Sequence, residues 1–277
     1  MGIERDAPLR RLAFIIEYEG TAYRGSQWQK QLPTIQGELE RAIREMLGQP
    51  ARVALAGRTD AGVHAQGQVF SFATRASYPP TVFIRALNAR LPADIALQAG
   101  AEVPLDFDVR RWARSRVYVY TICSARYPSP LWRRFAWQVA GPLDIGAMEK
   151  AAGALLGHHN FAAFAPPLAL GESAWRIVLW AEVGRSEGRV LLTIEADAFL
   201  HQQMRRTAGA LVRVGRGEMT AAEFAALVDD GRPNLAGPVA PPGGLCLVRV
   251  NYAGGAIPLR GSPGLGGPGA KGVNWEM

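Results

Sequence analysis

Short connections between strand-forming segments constrain the fold of this chain more than any other feature. Residues 176–183 and 189–196 are both predicted as strands, and only a tight turn separates them. A tight turn can join antiparallel strands, whereas parallel strands need a crossover of about a dozen residues or more. We therefore expect an α+β fold with mainly antiparallel sheet, rather than a doubly wound parallel sheet.

The rest of the chain alternates in the same way between strand and helix signals. Apolar, β-branched runs bounded by turn residues predict strands, and apolar residues at helical spacing predict helices. The predicted strands are residues 11–19, 51–56, 68–73, 116–124, 176–183, 189–196 and 244–252. The predicted helices are residues 34–47, 80 to about 91, 145–156, 199–214 and 220–228.

We expect three parts along the chain. Residues 1–110 form an N-terminal α/β half that contains a glycine-rich loop, and residues 111–252 form a C-terminal α/β half. Residues 253–277 are rich in glycine and proline, a composition that buries too little apolar surface to fold by itself. The sequence therefore predicts a flexible tail after residue 252.

The chain is basic, with 31 Lys and Arg residues against 24 Asp and Glu residues and a formal net charge of +7. Only Lys30, Lys150 and Lys271 are lysines, so arginine supplies almost all of the cations. Arginine binds phosphate and stacks on bases, which favours a nucleic-acid partner. An arginine-rich codon usage, with a charge that only keeps the protein in solution, explains the composition equally well.

Hydropathy and cysteine content limit the class of protein. Hydrophobic residues make up 48% of the chain, enough for a sizeable core, and no apolar run approaches the ~20 residues of a membrane span. The N-terminus lacks the apolar segment of a secretory signal. Cys123 and Cys246 are too few for a disulfide framework or a four-cysteine zinc site. We therefore expect a soluble cytoplasmic protein in a reducing compartment.

A glycine-rich loop follows a predicted strand at residues 57–69 (GRTDAGVHAQGQV). Gly57 and Gly62 have the spacing of a phosphate-binding P-loop. However, Val63 and His64 stand where that loop requires a lysine and a serine or threonine. The segment therefore lacks the side chains that hold phosphate and magnesium in nucleotide-hydrolysing enzymes.

The same loop contains a candidate reactive carboxylate. Asp60 lies two residues after Arg58, and a nearby guanidinium keeps a carboxylate ionised and usable as a nucleophile or base. From spacing alone, an aspartate that caps its own turn is the more ordinary interpretation.

Histidines offer weaker candidates. His64 follows Asp60 by four residues, and a hydrogen-bonded structural role or an RNA contact is more ordinary for it than a general-base role. His158 and His159 are adjacent, so their side chains point apart, and the sequence shows no further ligands for a metal site near them. We expect no metal centre.

Residues 56–69 (AGRTDAGVHAQGQV) resemble the signature of the tRNA pseudouridine synthase A family. Further segments resemble the family in the same order, so that the resemblance spans residues 12–252 and leaves out the tail. These segments are residues 17–29 (EYEGTAYRGSQWQ), 34–40 (TIQGELE), 87–92 (LNARLP), 116–120 (RVYVY), 157–164 (GHHNFAAF), 199–209 (FLHQQMRRTAG) and 244–252 (GLCLVRVNY).

The resemblance implies a fold, a reaction and partners. The fold is two related α/β halves with mainly antiparallel sheet and a central basic cleft. The reaction is the isomerisation of uridine to pseudouridine at positions 38, 39 and 40 of the tRNA anticodon stem–loop, without a cofactor. A homodimer that binds tRNA is the implied assembly.

The resemblance also implies roles for five residues. Asp60 matches the catalytic aspartate, and Tyr118 matches a tyrosine that stacks on the target base. Arg58 matches an arginine that assists base flipping, Arg205 one that pairs with the aspartate, and Leu245 an apolar residue beneath the base. We expect Arg205 nitrogens within about 4 Å of the Asp60 oxygens as a two-point pair, with Tyr118 lining the same pocket.

The residues alone leave two other functions open. A nucleoside or base hydrolase also cleaves a glycosidic bond through a carboxylate, but it usually needs a second carboxylate or a positioned water. The nearest downstream carboxylates are Glu102, Asp106 and Asp108. A non-catalytic RNA-binding module would need the arginines but not Asp60.

Overall fold

The computed structural model describes residues 7–253 as two compact units. Unit 1 comprises residues 7–59, Ala65–Ala113 and 252–253, and unit 2 comprises Asp60–His64 and Arg114–Asn251. The predicted flexible tail lies outside the described residues, except for Ala253.

Within its described residues, unit 1 contains four strands and two α-helices. Its elements are β1 (Arg10–Tyr18), α1 (Ile35–Leu47), β2 (Ala54–Leu55), β3 (His64–Thr74), α2 (Pro80–Asn88) and β4 (Ile95–Val103). The order is β4-β1-β3, with the short β2 paired on β3, and every one of these pairings is antiparallel.

The core of unit 1 is aromatic. Phe14 of β1 stacks on Phe70 of β3 with ring centroids 5.3 Å apart, and Phe83 of α2 packs against Phe14 at 6.2 Å. All three side chains are fully buried. Alternation along the strands therefore puts one aromatic face of the sheet under α2.

Local signals set the ends of α1. The Thr34 side chain accepts a hydrogen bond from the Gly37 backbone N–H, which caps the first turn. Gly48 ends the helix in the left-handed region, with φ of 69°. Ile35, Leu39 and Ile43 form its buried stripe, as their spacing predicts.

We predict that Gly100→Ala destabilises unit 1. Gly100 of β4 pairs with Phe14 of β1, and a Cβ at position 100 would lie 2.2 Å from Phe14 Cδ1. The core would have to shift, at a cost of about 1–3 kcal/mol in the free energy of unfolding. Urea denaturation measures this loss. Gly184→Ala is the matched control, because a Cβ at that strand glycine meets nothing within 4 Å. Equal stabilities of the two variants would contradict the packing of β4 on β1.

Within its described residues, unit 2 contains six strands and three α-helices. Its elements are β5 (Ala113–Ala125), β6 (Trp137–Ala140), α3 (Ile145–Ala152), β7 (Gly157–Asn160), β8 (Trp175–Ser186), β9 (Arg189–Ala196), α4 (Gln203–Gly215), α5 (Ala221–Leu227) and β10 (Leu245–Tyr252). The order is β10-β5-β9-β8-β7, with β6 paired parallel to β5. The β5–β9, β9–β8 and β8–β7 pairs are antiparallel.

The hairpin between β8 and β9 confirms the argument from short connections. Ser186 pairs with Arg189, so the turn consists of Glu187 and Gly188. Both residues have positive φ, 48° and 77°, the backbone of the two-residue turns that match the twist of a hairpin. The predicted α+β fold with mainly antiparallel sheet is confirmed.

The helix predicted over residues 199–214 is wrong at its start, because α4 begins at Gln203. Gln202 adopts the left-handed region, with φ of 62°, and turns the chain before the helix. Leu200 therefore continues the apolar pattern of α4 without belonging to the helix. Three strands were not predicted. Strand β4 is rich in alanine and glycine, β6 has only four residues, and β7 is short and polar.

Within residues 7–253, none of the helices has the length and apolar character needed to cross a membrane.

Candidate active site

The loop with the candidate carboxylate is anchored within unit 2. Val63 N–H donates to the Asp60 carbonyl at 3.2 Å, which closes a turn. Gly62 has φ of 78°, and a Cβ there would lie 2.9 Å from Pro242 Cγ, so the turn requires glycine on both conformational and steric grounds. His64 is buried, and its Nε2 lies 2.8 Å from the Arg134 carbonyl oxygen. His64 therefore holds the loop in place through a main-chain contact.

The residue that precedes Asp60 is fixed inside unit 1. Thr59 N–H donates to Ser26 Oγ at 2.8 Å, and Ser26 N–H donates to the Thr59 carbonyl at 3.0 Å. The Thr59 hydroxyl also lies 2.8 Å from Tyr18 Oη. Ser26 and Thr59 are buried, so this reciprocal pair fixes the entry into the loop.

The Asp60 carboxylate meets Arg205 of α4, as predicted. Arg205 Nη1 donates to Asp60 Oδ2 at 3.0 Å, and the two side chains are 14% and 24% exposed. The expected contact within about 4 Å is therefore confirmed. The carboxylate lies against a side chain of a distant segment, which favours a functional role over the capping of its own turn.

The expected two-point pair between Arg205 and Asp60 is wrong. Arg205 Nε donates instead to the Ala240 carbonyl at 2.8 Å, and Ala240 N–H donates to the Arg205 carbonyl at 3.2 Å. The main chain of Ala240 thus holds Arg205 at two points, the Arg205 carbonyl and the Arg205 side chain. One guanidinium nitrogen reaches Oδ2, and Oδ1 lies beside a different residue.

That residue is His201, which the sequence analysis missed. His201 Nε2 lies 3.4 Å from Asp60 Oδ1, and the His201 side chain is 62% exposed. His201 precedes Arg205 by four residues, and residues four apart lie on the same side of a helix. This spacing was the sequence signal that could have placed His201 near Asp60. The signal is indirect here, since His201 lies in the turn before α4.

Tyr118 lies in the middle of β5, where it pairs with Ile194 of β9. Its ring is buried and contacts Phe199 edge to face, with centroids 5.0 Å apart. Because Phe199 lies two residues before His201, Tyr118 packs against the segment that supplies the partners of Asp60. Leu245 is buried at the start of β10, the strand beside β5.

Arg58 belongs to unit 1, where its side chain is exposed. It lines a cavity of about 460 Å³ together with Asp108, Arg110 and Arg111. Asp108 accepts hydrogen bonds from the Arg111 and Arg110 backbone N–H groups, which lower the pKa of its carboxyl below the ordinary value. Three guanidinium groups and one carboxylate give this cavity a net positive charge suited to phosphate.

Among the described residues 7–253, no group of three or more His, Cys, Asp or Glu side chains is placed to hold a metal ion. His159 Nδ1 instead lies 2.8 Å from Asp229 Oδ2, and this contact raises the pKa of the imidazole. The Asn160 backbone N–H, which donates to Asp229 Oδ1, and the His159 side chain lower the pKa of the Asp229 carboxyl.

Comparison with known proteins shows the family of this chain. The sequence profile described as tRNA pseudouridine synthase matches residues 14–110 and 151–253. The chain is 43% identical to tRNA pseudouridine synthase A of Myxococcus xanthus, over 88% of this chain and 93% of that protein. It is 42% identical to tRNA pseudouridine synthase A of Chloroflexus aurantiacus over 90% and 91%, and 39% identical to that of Geotalea daltonii over 88% and 100%. The chain therefore belongs to the tRNA pseudouridine synthase family.

Proposed function

We propose that this chain isomerises uridine to pseudouridine in the anticodon stem–loop of tRNA, with Asp60 as the reactive carboxylate. The observation that carries the proposal is the placement of Asp60. The loop that matches the family signature holds it beside Arg205, with 3.0 Å between Oδ2 and Nη1. A guanidinium donates a charge-assisted hydrogen bond to a carboxylate and so orients the oxygen that accepts it.

The proposed reaction replaces one glycosidic bond with another. The bond from the ribose anomeric carbon to uracil N1 breaks, a bond to C5 forms, the C5 proton leaves and N1 gains a proton. Asp60 can attack the anomeric carbon, attack uracil C6, or remove a sugar proton, and each route needs an ionised carboxylate against the nucleoside. The target must leave its base stack, at a cost of a few kcal/mol.

The other predicted residues have supporting roles in this proposal. Tyr118 stacks on the target base and assists in removal of the C5 proton, and Leu245 packs beneath the base. Arg205 orients the Asp60 carboxylate. Arg58 occupies the space that the flipped base leaves, since guanidinium planes stack on bases. The positive cavity that Arg58 lines supports a role beside the RNA backbone.

Chromatography of nucleosides distinguishes this function from its competitors. Unmodified tRNA transcripts are incubated with the protein, digested and separated. We expect pseudouridine and no free uracil. Free uracil would instead identify a hydrolase. If neither product forms but the protein still binds tRNA, the chain is a binding module.

We predict that tRNA affinity falls steeply with salt. The chain carries a formal net charge of +7, and phosphate contacts release counterions from the RNA. The logarithm of the association constant should fall linearly with the logarithm of salt concentration, by roughly 0.7 to 0.9 per phosphate contacted. Filter binding between low and physiological salt measures the slope. A flat response would contradict a large tRNA footprint.

We further propose that the enzyme acts as a homodimer in the cytoplasm, as the family resemblance implies. Sedimentation velocity tests the assembly, with an expected mass about twice the 29.9 kDa of one chain. A single species with the mass of one chain at working concentrations would contradict the homodimer.

A further inference from the structure

We propose that His201 is a positioning residue that orients the Asp60 carboxylate for the reaction. The inference rests on the proposed function of Asp60. Its basis is a contact on the second carboxylate oxygen, where His201 Nε2 lies 3.4 Å from Oδ1.

The need for such a residue follows from the way Arg205 is held. Arg205 Nη1 donates a hydrogen bond to Asp60 Oδ2, and Arg205 Nε donates one to the Ala240 carbonyl. One hydrogen bond fixes one oxygen, whereas the terminal torsion of an aspartate is broad and permits rotation of the carboxylate plane. A second group on Oδ1 is required to fix that plane, and His201 occupies this place.

The turn before α4 directs His201 at the carboxylate. Gln203 is buried, its side-chain oxygen accepts from Leu200 N–H at 2.8 Å, and its own N–H donates to the Leu200 carbonyl at 3.1 Å. Gln202 is held in the left-handed region, a backbone conformation that non-glycine residues seldom adopt. On the other side of His201, Phe199 packs against Tyr118. The backbone of His201 is therefore fixed from both sides.

His201 contacts Asp60 from a more exposed position than Arg205 does. Its side chain is largely exposed, whereas Arg205 is mostly buried. A distance of 3.4 Å between Nε2 and Oδ1 is longer than an ordinary charge-assisted hydrogen bond. The contact of His201 with Oδ1 is therefore looser than the hydrogen bond of Arg205 with Oδ2.

Three variants test the role in single-turnover reactions at saturating tRNA. His201→Ala should lower the rate about tenfold to a hundredfold, because small misplacements of a reacting group have effects of this size. The tRNA dissociation constant should stay within about threefold, since distributed phosphate contacts carry the affinity. His201→Gln should recover most of the rate, because its amide N–H can reach Oδ1. His158→Ala is the control, an exposed histidine of β7.

The outcomes separate positioning from other roles. An unchanged rate in His201→Ala would overturn the proposal, and so would weaker tRNA binding with an unchanged rate at saturation, which identifies an RNA contact. If the wild type forms no pseudouridine, the proposed function fails, and crystal structures without RNA decide the inference. They should show the Asp60 carboxylate in a different rotamer in His201→Ala than in the wild type and in His201→Gln. An identical carboxylate in all three proteins would overturn it.

Discussion

Asp60→Asn should abolish pseudouridine formation, with a fall in turnover of roughly 10⁴-fold or more. The amide is nearly isosteric with the carboxylate, but it lacks the charge that each chemical route requires. Affinity for tRNA should change by less than about threefold, because phosphate contacts dominate it. Single-turnover assays and filter binding on the same tRNA measure the two quantities.

Asp230→Asn is the matched control for this substitution. Asp230 is a carboxylate of unit 2 that pairs with Arg232 at the surface, 2.7 Å from the guanidinium Nε. Loss of the Asp230 charge should leave turnover unchanged. Substantial turnover in Asp60→Asn would refute the assignment of the reactive group, and a parallel loss of tRNA binding would place Asp60 in recognition instead.

Tyr118→Phe should reduce turnover by about 10²- to 10⁴-fold, the range of a lost proton-transfer group. Phenylalanine keeps the ring, so the edge-to-face contact with Phe199 and the stacking on the target base persist. The free energy of unfolding should therefore change little. Single-turnover rates at saturating tRNA and thermal denaturation measure the two effects.

Tyr23→Phe controls for the loss of a tyrosine hydroxyl. Tyr23 Oη donates to Asp94 Oδ1 in unit 1, so this variant should lose stability and keep its turnover. Equal rates for Tyr118→Phe and the wild type would leave Tyr118 with a stacking role alone.

Local signals explain why much of the fold was predictable. Thr34 and Gly48 act at the two ends of α1 through hydrogen bonding and backbone conformation that depend on a few neighbouring residues. The short turn at Glu187 and Gly188 similarly determines an antiparallel pairing. Contacts between residues distant in the sequence determine the elements that were not predicted. Strand β4 has weak intrinsic preference, and its pairing with β1 makes it a strand.

In the candidate site, too, the sequence predicted some contacts, whereas others depend on the surrounding main chain. The contact between Asp60 and Arg205 was predicted because both residues lie in segments that resemble one family. Their single-point geometry was not predicted, since it depends on the Ala240 carbonyl, which takes the Arg205 Nε. His201 was missed because its role depends on the backbone of Gln202, and no spacing rule predicts a left-handed glutamine.

Nucleotide-resolution mapping of pseudouridine in a tRNA pool tests both the reaction and the assignment of Asp60. Unmodified tRNAs are treated with the wild-type protein or with Asp60→Asn, and every uridine is scored. We expect new pseudouridine in the anticodon stem–loop with the wild type and none with the variant. Pseudouridine formed equally by both proteins, or confined to other parts of the tRNA, would contradict the proposal.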